Sequence, residues 1–159
     1  MSELDVEKVK SQLQQEFLEL VAIDSPSWGE AKMAVVIRKK LEALGFQVIE
    51  DKVHNIYGYL PGQLDKEPVL FSAHMDTVEP AKGKEAICEA DGTIRSAGKA
   101  VLGADCLSGL VEILQGIRLV QQSGKEHRPV EVLISVAEEI YCQGASLFDF
   151  AQIKAKDSY

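Results

Sequence analysis

Residues 68–76 read Pro68-Val69-Leu70-Phe71-Ser72-Ala73-His74-Met75-Asp76. The stretch from Val69 to Ala73 is an almost unbroken apolar run, and it ends on a histidine. A strand with one wet face alternates apolar and polar residues, whereas a run of this kind suits a central strand covered on both faces. In open α/β sheets, ligands gather at the carboxyl ends of the strands. This stretch therefore fixes a fold class and also a place to look for chemistry.

Working outward, the elements on either side support the same class. Val6, Val9, Leu13, Phe17, Leu20 and Val21 recur every three or four residues and predict an amphipathic helix. It ends near Asp24, where Ser25-Pro26-Ser27 breaks the pattern. A second helix is expected over 29–44, with Gly45 as its C-cap. Phe46 to Ile49 and Asn55 to Leu60 then read as strands, the latter closed by Pro61-Gly62. Residues 79–100 are loop-rich, with a short strand expected around Thr93-Ile94-Arg95. A long helix is predicted over 108–122, a strand over Val130 to Val136, and a final helix over 144–153. This order gives an α/β fold with a mixed sheet, in which crossover connections place helices on both faces as a three-layer α/β/α sandwich.

Composition narrows the function classes. The 159 residues are 46% hydrophobic and 26% charged, within the range of a folded globular chain. Lys and Arg total 17 against 25 Asp and Glu, a net charge of −8, which argues against a nucleic-acid binder. Three cysteines, Cys88, Cys106 and Cys142, follow no disulfide spacing and fit a reducing compartment. The charged opening MSELDVEKVKSQLQQEF has no apolar signal core, and no run approaches the length of a membrane span. A cytoplasmic protein, with no nucleic-acid and no membrane partner, is the expectation.

Three polar clusters stand at strand ends or helix starts. In the first, His74 and Asp76 share one side of an extended segment. A neutral imidazole is a good zinc ligand, and metal-bound histidines commonly give their other N–H to a carboxylate. Asp76 is such a carboxylate, a buttress for another group, or a turn residue. In the second, Gly103-Ala104-Asp105-Cys106, Asp105 is either a helix N-cap or a carboxylate bridging two cations. Cys106 is a weaker candidate as zinc ligand or nucleophile, lacking a Cys or His close by in sequence. The third is Glu138-Glu139, adjacent acids that repel unless a cation neutralises them. One could then bind metal while the other acts as general base; otherwise they are solvated loop acids. The spacings of 31 residues from His74 to Asp105, and 33 from Asp105 to Glu138, are each about one crossover unit. Neighbouring strands would bring all three clusters to one sheet edge.

Together His74-Met75-Asp76-Thr77-Val78-Glu79-Pro80, Gly103-Ala104-Asp105 and Glu138-Glu139-Ile140 resemble the peptidase T (tripeptide aminopeptidase) branch of the di-zinc metallopeptidases. That superfamily includes acetylornithine deacetylase, succinyl-diaminopimelate desuccinylase and carboxypeptidase G. The resemblance runs from about Asp5 to Asp157. It implies that His74 binds one zinc, Asp105 bridges two, Glu139 binds the second, Glu138 is the general base, and Asp76 orients the site. The implied reaction is hydrolysis of a peptide or N-acyl amide bond with zinc-activated water, and the implied substrates are short peptides.

Departures from the family pattern are specific. Cys106 and Leu107 stand where Asp or Met and then Lys are usual, and Tyr141-Cys142 where Gly and an aliphatic residue are usual. Tyr141 is expected to crowd the loop beside the base. By resemblance, residues 1–159 form the N-terminal part of a catalytic domain. The same resemblance leads us to expect that the inserted lid or dimerisation domain and the C-terminal part, with a further carboxylate and histidine, lie outside these residues. Two readings follow. One is an incomplete zinc peptidase that needs a complementing C-terminal chain or a second copy of itself. The other is a non-catalytic remnant or binding module that keeps the α/β core. A cysteine hydrolase built on Cys106 is a third.

Overall fold

The computed structural model describes residues 5–159; residues 1–4, the start of the charged opening stretch, lie outside the described residues. Helix α1 covers Val6–Val21, with the Asp5 carboxylate accepting from the Lys8 amide at 3.1 Å. This is an N-cap satisfying one of the orphan donors at the helix start. Helix α2 covers Ala31–Ala43, and Gly45 follows it at φ 85°, where the C-cap is expected. Strands β1 (Gln47–Glu50), β2 (Ile56–Leu60) and β3 (Val69–His74) come next. A separate hairpin of β4 (Ala86–Cys88) and β5 (Ile94–Ser96) is followed by helix α3 (Ala104–Ser123), strand β6 (Val130–Ser135) and strand β7 (Asp157–Ser158). Strand β4 has no counterpart in the sequence reading.

The main sheet is mixed, in the order β1-β2-β6-β3-β7. Strands β1, β2 and β6 are antiparallel neighbours, while β3 runs parallel to both β6 and β7. Alternate residues divide the two faces. Ile56, Leu60, Ala73, Val130, Val132 and Ile134 meet the apolar stripes of all three helices, including Leu20, Ile37, Leu41, Leu110 and Leu114. Fully burying each of the Val, Leu and Ile side chains contributes about 1.5–3 kcal/mol.

The other face is covered differently from the sequence expectation. The helix expected over 144–153 is two single 3₁₀ turns, Ala145–Leu147 and Phe150–Gln152. Phe148 between them is extended, at φ −74° and ψ 141°. It turns inward against Tyr57, Leu70 and Leu133, with ring centroids 6.0 Å apart from Tyr57 and an edge-on contact to Phe150 at 5.5 Å. The Asp149 carboxylate accepts from the Ala151 amide at 3.1 Å. Aromatic burial and a local cap thus outcompete a continuous helix.

A buried acid holds this segment to the sheet. Glu131, wholly buried on β6, accepts from Tyr57 Oη at 2.8 Å and from the amides of Lys154 at 3.0 Å and Ala155 at 2.9 Å. Burial, and then the Glu131 charge, push the Tyr57 hydroxyl well above its ordinary pKa, so it stays a donor. Among the described residues, no helix is long and apolar enough to cross a membrane.

Candidate functional site

Strands β3 and β6 lie side by side in parallel register, with His74 opposite Ser135. The ladder continues one step further, the Met75 amide donating to the Ser135 carbonyl at 2.9 Å. Both chains therefore leave the sheet at the same edge, which brings the first and third clusters together. Asp76 is fully buried at that edge. Its Oδ1 accepts from the Glu138 amide at 2.9 Å, and its Oδ2 accepts from the Glu139 amide at 3.1 Å and from Ser27 Oγ at 2.7 Å. One residue earlier, the Ala137 amide donates to Glu30 Oε1 at 2.8 Å. Three successive amides of the 137–139 turn are thus fixed by two buried carboxylates. Burial works to raise the Asp76 pKa, but contacts from His74, Ser27 and the two amides outweigh it and hold the carboxyl below its ordinary range.

His74 is oriented by the same residue. Its Nδ1 lies 3.0 Å from the Asp76 main-chain carbonyl and 3.4 Å from Asp76 Oδ1. A carbonyl oxygen only accepts, so Nδ1 carries a proton. The other ring nitrogen, Nε2, then faces Asp105 Oδ1 at 3.3 Å and Glu138 Oε2 at 3.6 Å. Those two carboxylates ask for a positive charge between them. With no metal ion, a second proton on Nε2 meets that demand. Burial opposes the charged ring, yet Asp76, Glu138 and Asp105 outweigh burial and push the His74 pKa up to about 9.

Asp105 reaches the site from the start of α3. That start is irregular: Asp105 (φ −87°, ψ 113°) and Cys106 (φ −109°, ψ 23°) are non-helical, and the peptide between them is cis. Asp105 is not the N-cap. Gly103 occupies that position, with φ 77° and no side-chain cap. A Cβ on Gly103 would lie 2.7 Å from Thr77 Cγ2, so the loop needs glycine there for space as well as for conformation. Below it, Lys84 is buried and donates to Ser25 Oγ at 3.2 Å and Thr77 Oγ1 at 3.3 Å, with burial lowering its pKa.

Among the described residues, His74, Asp105 and Cys106 present ligand atoms that all lie within 4.8 Å of one another. An imidazole, a carboxylate and a thiol are a donor set that zinc accepts. Glu138 stands beside this trio, and Glu139 is tied to it through Asp76. The Glu139 pKa is raised, first by burial and then by the charges of Asp105, Asp76 and Glu138, with His74 opposing. The Cys106 thiol is likewise pushed up, by burial and then by Asp105, Glu138 and Glu112. A thiol held in its protonated form is a poor nucleophile, which weighs against the cysteine hydrolase.

The sequence reading missed Ser27, Glu30 and the place of Cys106. Ser27 reaches Asp76 because Pro26 bridges Thr77 and the Thr77 amide donates to the Ser25 carbonyl at 2.9 Å. Tyr141 does not crowd the loop as expected. Its side chain is 96% exposed and points away, although its backbone is left-handed at φ 69°. Leu107, at the position where a lysine is usual, is fully buried in the core.

Comparison with known proteins gives a consistent set. The sequence profile of peptidase family M28 matches residues 55–158. The uncharacterized protein YqjE of Bacillus subtilis is 34% identical over an alignment of 158 residues, gaps included, that covers 94% of this chain and 42% of that protein. A tripeptidase from Staphylococcus aureus superposes with a TM-score of 0.90 at 30% identity, over 94% of this chain and 42% of its own. The aminopeptidase PepT from Bacillus cereus gives the same TM-score, 0.90, at 35% identity and the same coverage, 94% and 42%. The chain therefore spans about two fifths of the length of each of these relatives.

Proposed function

Because the chain belongs to peptidase family M28, we propose that it is the N-terminal part of the catalytic domain of a zinc-dependent hydrolase of short peptides. The tripeptidase and aminopeptidase named above favour that substrate class. His74, Asp105 and Glu139 would hold zinc in this reading, Asp105 as a ligand shared by two ions. Glu138 is the general base, and Asp76 is the positioning residue. Zinc would polarise the scissile carbonyl and lower the pKa of water at the site. The chain's own residues do the rest. Asp76 sets the His74 tautomer and fixes the turn that carries both glutamates, and Glu138, in reach of the same space, takes the proton from the attacking water.

The observation that carries this reading is the His74 ring, with Nδ1 pinned to Asp76 and Nε2 aimed between Asp105 and Glu138. A histidine serving only the fold needs a single acceptor at Nε2. Two carboxylates converging on it are the signature of a place for a cation. The chain spans 42% of the length of these relatives, and in this reading residues 5–159 supply part of the metal shell. The three free thiols support a cytosolic location in this reading.

Zinc titration by calorimetry tests the proposal. Saturable binding that is lost in Glu139→Ala and Asp105→Asn supports it, with tripeptide hydrolysis appearing once a complementing chain is added. A chain that binds no zinc, and yields no hydrolysis with such a partner, overturns it and leaves the remnant reading.

A further inference from the structure

Cys106 sits where the peptidase resemblance has no ligand, yet its sulfur faces the metal position. We propose that Cys106 Sγ is itself a ligand, so that this chain holds one soft divalent cation, zinc or its like, on His74 Nε2, an Asp105 carboxylate oxygen and Cys106 Sγ. The inference rests on the reading of His74 and Asp105 as ligands given above, and it adds a thiolate to them.

Three independent features carry it. The first is convergence: the three ligand atoms lie within 4.8 Å of each other among the described residues. Zinc bonds of about 2.0–2.3 Å to nitrogen, oxygen and sulfur require donors roughly 3–4 Å apart. Small side-chain rotations close that difference. The second is the backbone. Asp105 and Cys106 are both non-helical, so two successive side chains leave the start of α3 toward His74 instead of spreading around a helix. The third is room made for the sulfur. A Cβ on Gly109 would stand 3.2 Å from Cys106 Sγ, tighter than ordinary contact, so glycine leaves space there.

The chemistry of the donors sets the preference. An imidazole with two carboxylates accepts many divalent ions, whereas a thiolate selects zinc, cobalt or cadmium over magnesium and calcium. The other thiol in the neighbourhood is Cys142, whose Sγ lies 3.4 Å from Glu138 Oε1. It lies outside the three-atom group and serves as an internal control.

Cobalt(II) titration of the full chain reads the inference directly, because sulfur–cobalt bonding gives a near-ultraviolet charge-transfer band that oxygen and nitrogen donors do not. In the wild type the band should appear at one equivalent. Cys106→Ser should lose it, with cobalt affinity falling at least tenfold, while Cys142→Ser keeps both. Gly109→Ala, which crowds the sulfur without removing it, should weaken the band. Two results overturn the proposal while leaving the metal site standing: cobalt binding by the wild type without the band, or a band that survives in Cys106→Ser. No cobalt binding by the wild type overturns this proposal and the metal-centre reading together.

Discussion

Raising the pH will destabilise the metal-free chain through one residue, and a neutral substitution at His74 will remove that dependence. In the unfolded chain an imidazole titrates near 6.5, and in the fold His74 is pushed up to about 9. The folded state thus holds the proton more tightly. The stabilisation is fully present below pH 6.5 and is lost as the pH rises through about 9. The separation of about 2.5 pH units, at about 1.36 kcal/mol per unit, is worth about 3 kcal/mol. His74 is only 7% exposed, so solvent screening takes little from that figure. The assay is urea unfolding with a chelator present, between about pH 6 and about pH 10, on the wild type and on His74→Gln. The variant keeps a donor for the Asp76 carbonyl but cannot be charged. Subtracting the two profiles cancels the titrating groups that do not face His74 and leaves His74 with the acids coupled to it. The difference should shrink by about 3 kcal/mol across the range, at unchanged m. Saturating zinc should reverse the trend, because the metal competes with the proton for Nε2 and its apparent affinity rises with pH up to about 9. Parallel profiles for the two proteins would refute the placement of a charged ring between Asp105 and Glu138.

Asp76→Asn removes the charge that anchors two amides and Ser27, so it should cost about 2 kcal/mol in urea unfolding. It should also weaken zinc binding about 10–100-fold by calorimetry; unchanged affinity would deny Asp76 its positioning role. Tyr141→Gly should stabilise the chain by about 1 kcal/mol in thermal melts, because the residue is left-handed at φ 69° and its ring is 96% exposed with no packing to lose. Glu131→Leu leaves the Tyr57 hydroxyl and the amides of Lys154 and Ala155 without their acceptor. It should cost about 3 kcal/mol or more and open the 145–156 segment to rapid amide exchange, while Glu131→Gln, which keeps an acceptor oxygen, should cost less.

The parts of the fold legible in the sequence are those set by local pattern. The stripe from Val6 to Val21 and the runs ending at His74 and Ser135 carry their own periodicity, and the structure places them within a residue or two of expectation. Cluster placement was legible too, because a strand's carboxyl end is a position in sequence as well as in space. The misses are nonlocal. Nothing around Ser27 says that a helix-breaking tripeptide will pair with Thr77 and reach Asp76 from 49 residues away. The segment 144–153 has an acceptable helical composition, and it is Phe148 dropping into a pocket of Tyr57, Leu70 and Leu133 that overrides it. Glu131 sat unremarked inside an apolar run, since its partners lie on two distant segments, Tyr57 on β2 and the adjacent amides of Lys154 and Ala155. Cys106 was discounted for want of a nearby ligand in sequence, whereas its partner His74 stands on a different strand 32 residues earlier.

The precision of the site follows from strand register more than from any one contact. With His74 opposite Ser135 on parallel strands, Asp76 falls level with the turn at 137–139 and its two oxygens meet two successive amides. Sliding β6 by one residue would turn the Glu131 carboxylate into the apolar core under the helices and strip it from Tyr57, Lys154 and Ala155, because side chains alternate with a period of two. Core burial therefore forbids the slip, and the same constraint fixes where Glu138 and Glu139 emerge. Asp105 has no such ladder behind it. It comes from a non-helical turn at the head of α3, held by the close approach of Gly103 to Thr77. The metal position is thus built from a rigid half, His74, Asp76 and the glutamate turn, and an adjustable half, Asp105 and Cys106. Substitutions at Gly103 should therefore alter zinc affinity while lowering the His74 titration only by the share that Asp105 contributes, whereas substitutions in the β3–β6 core should move the Asp76 and Glu138 contributions as well.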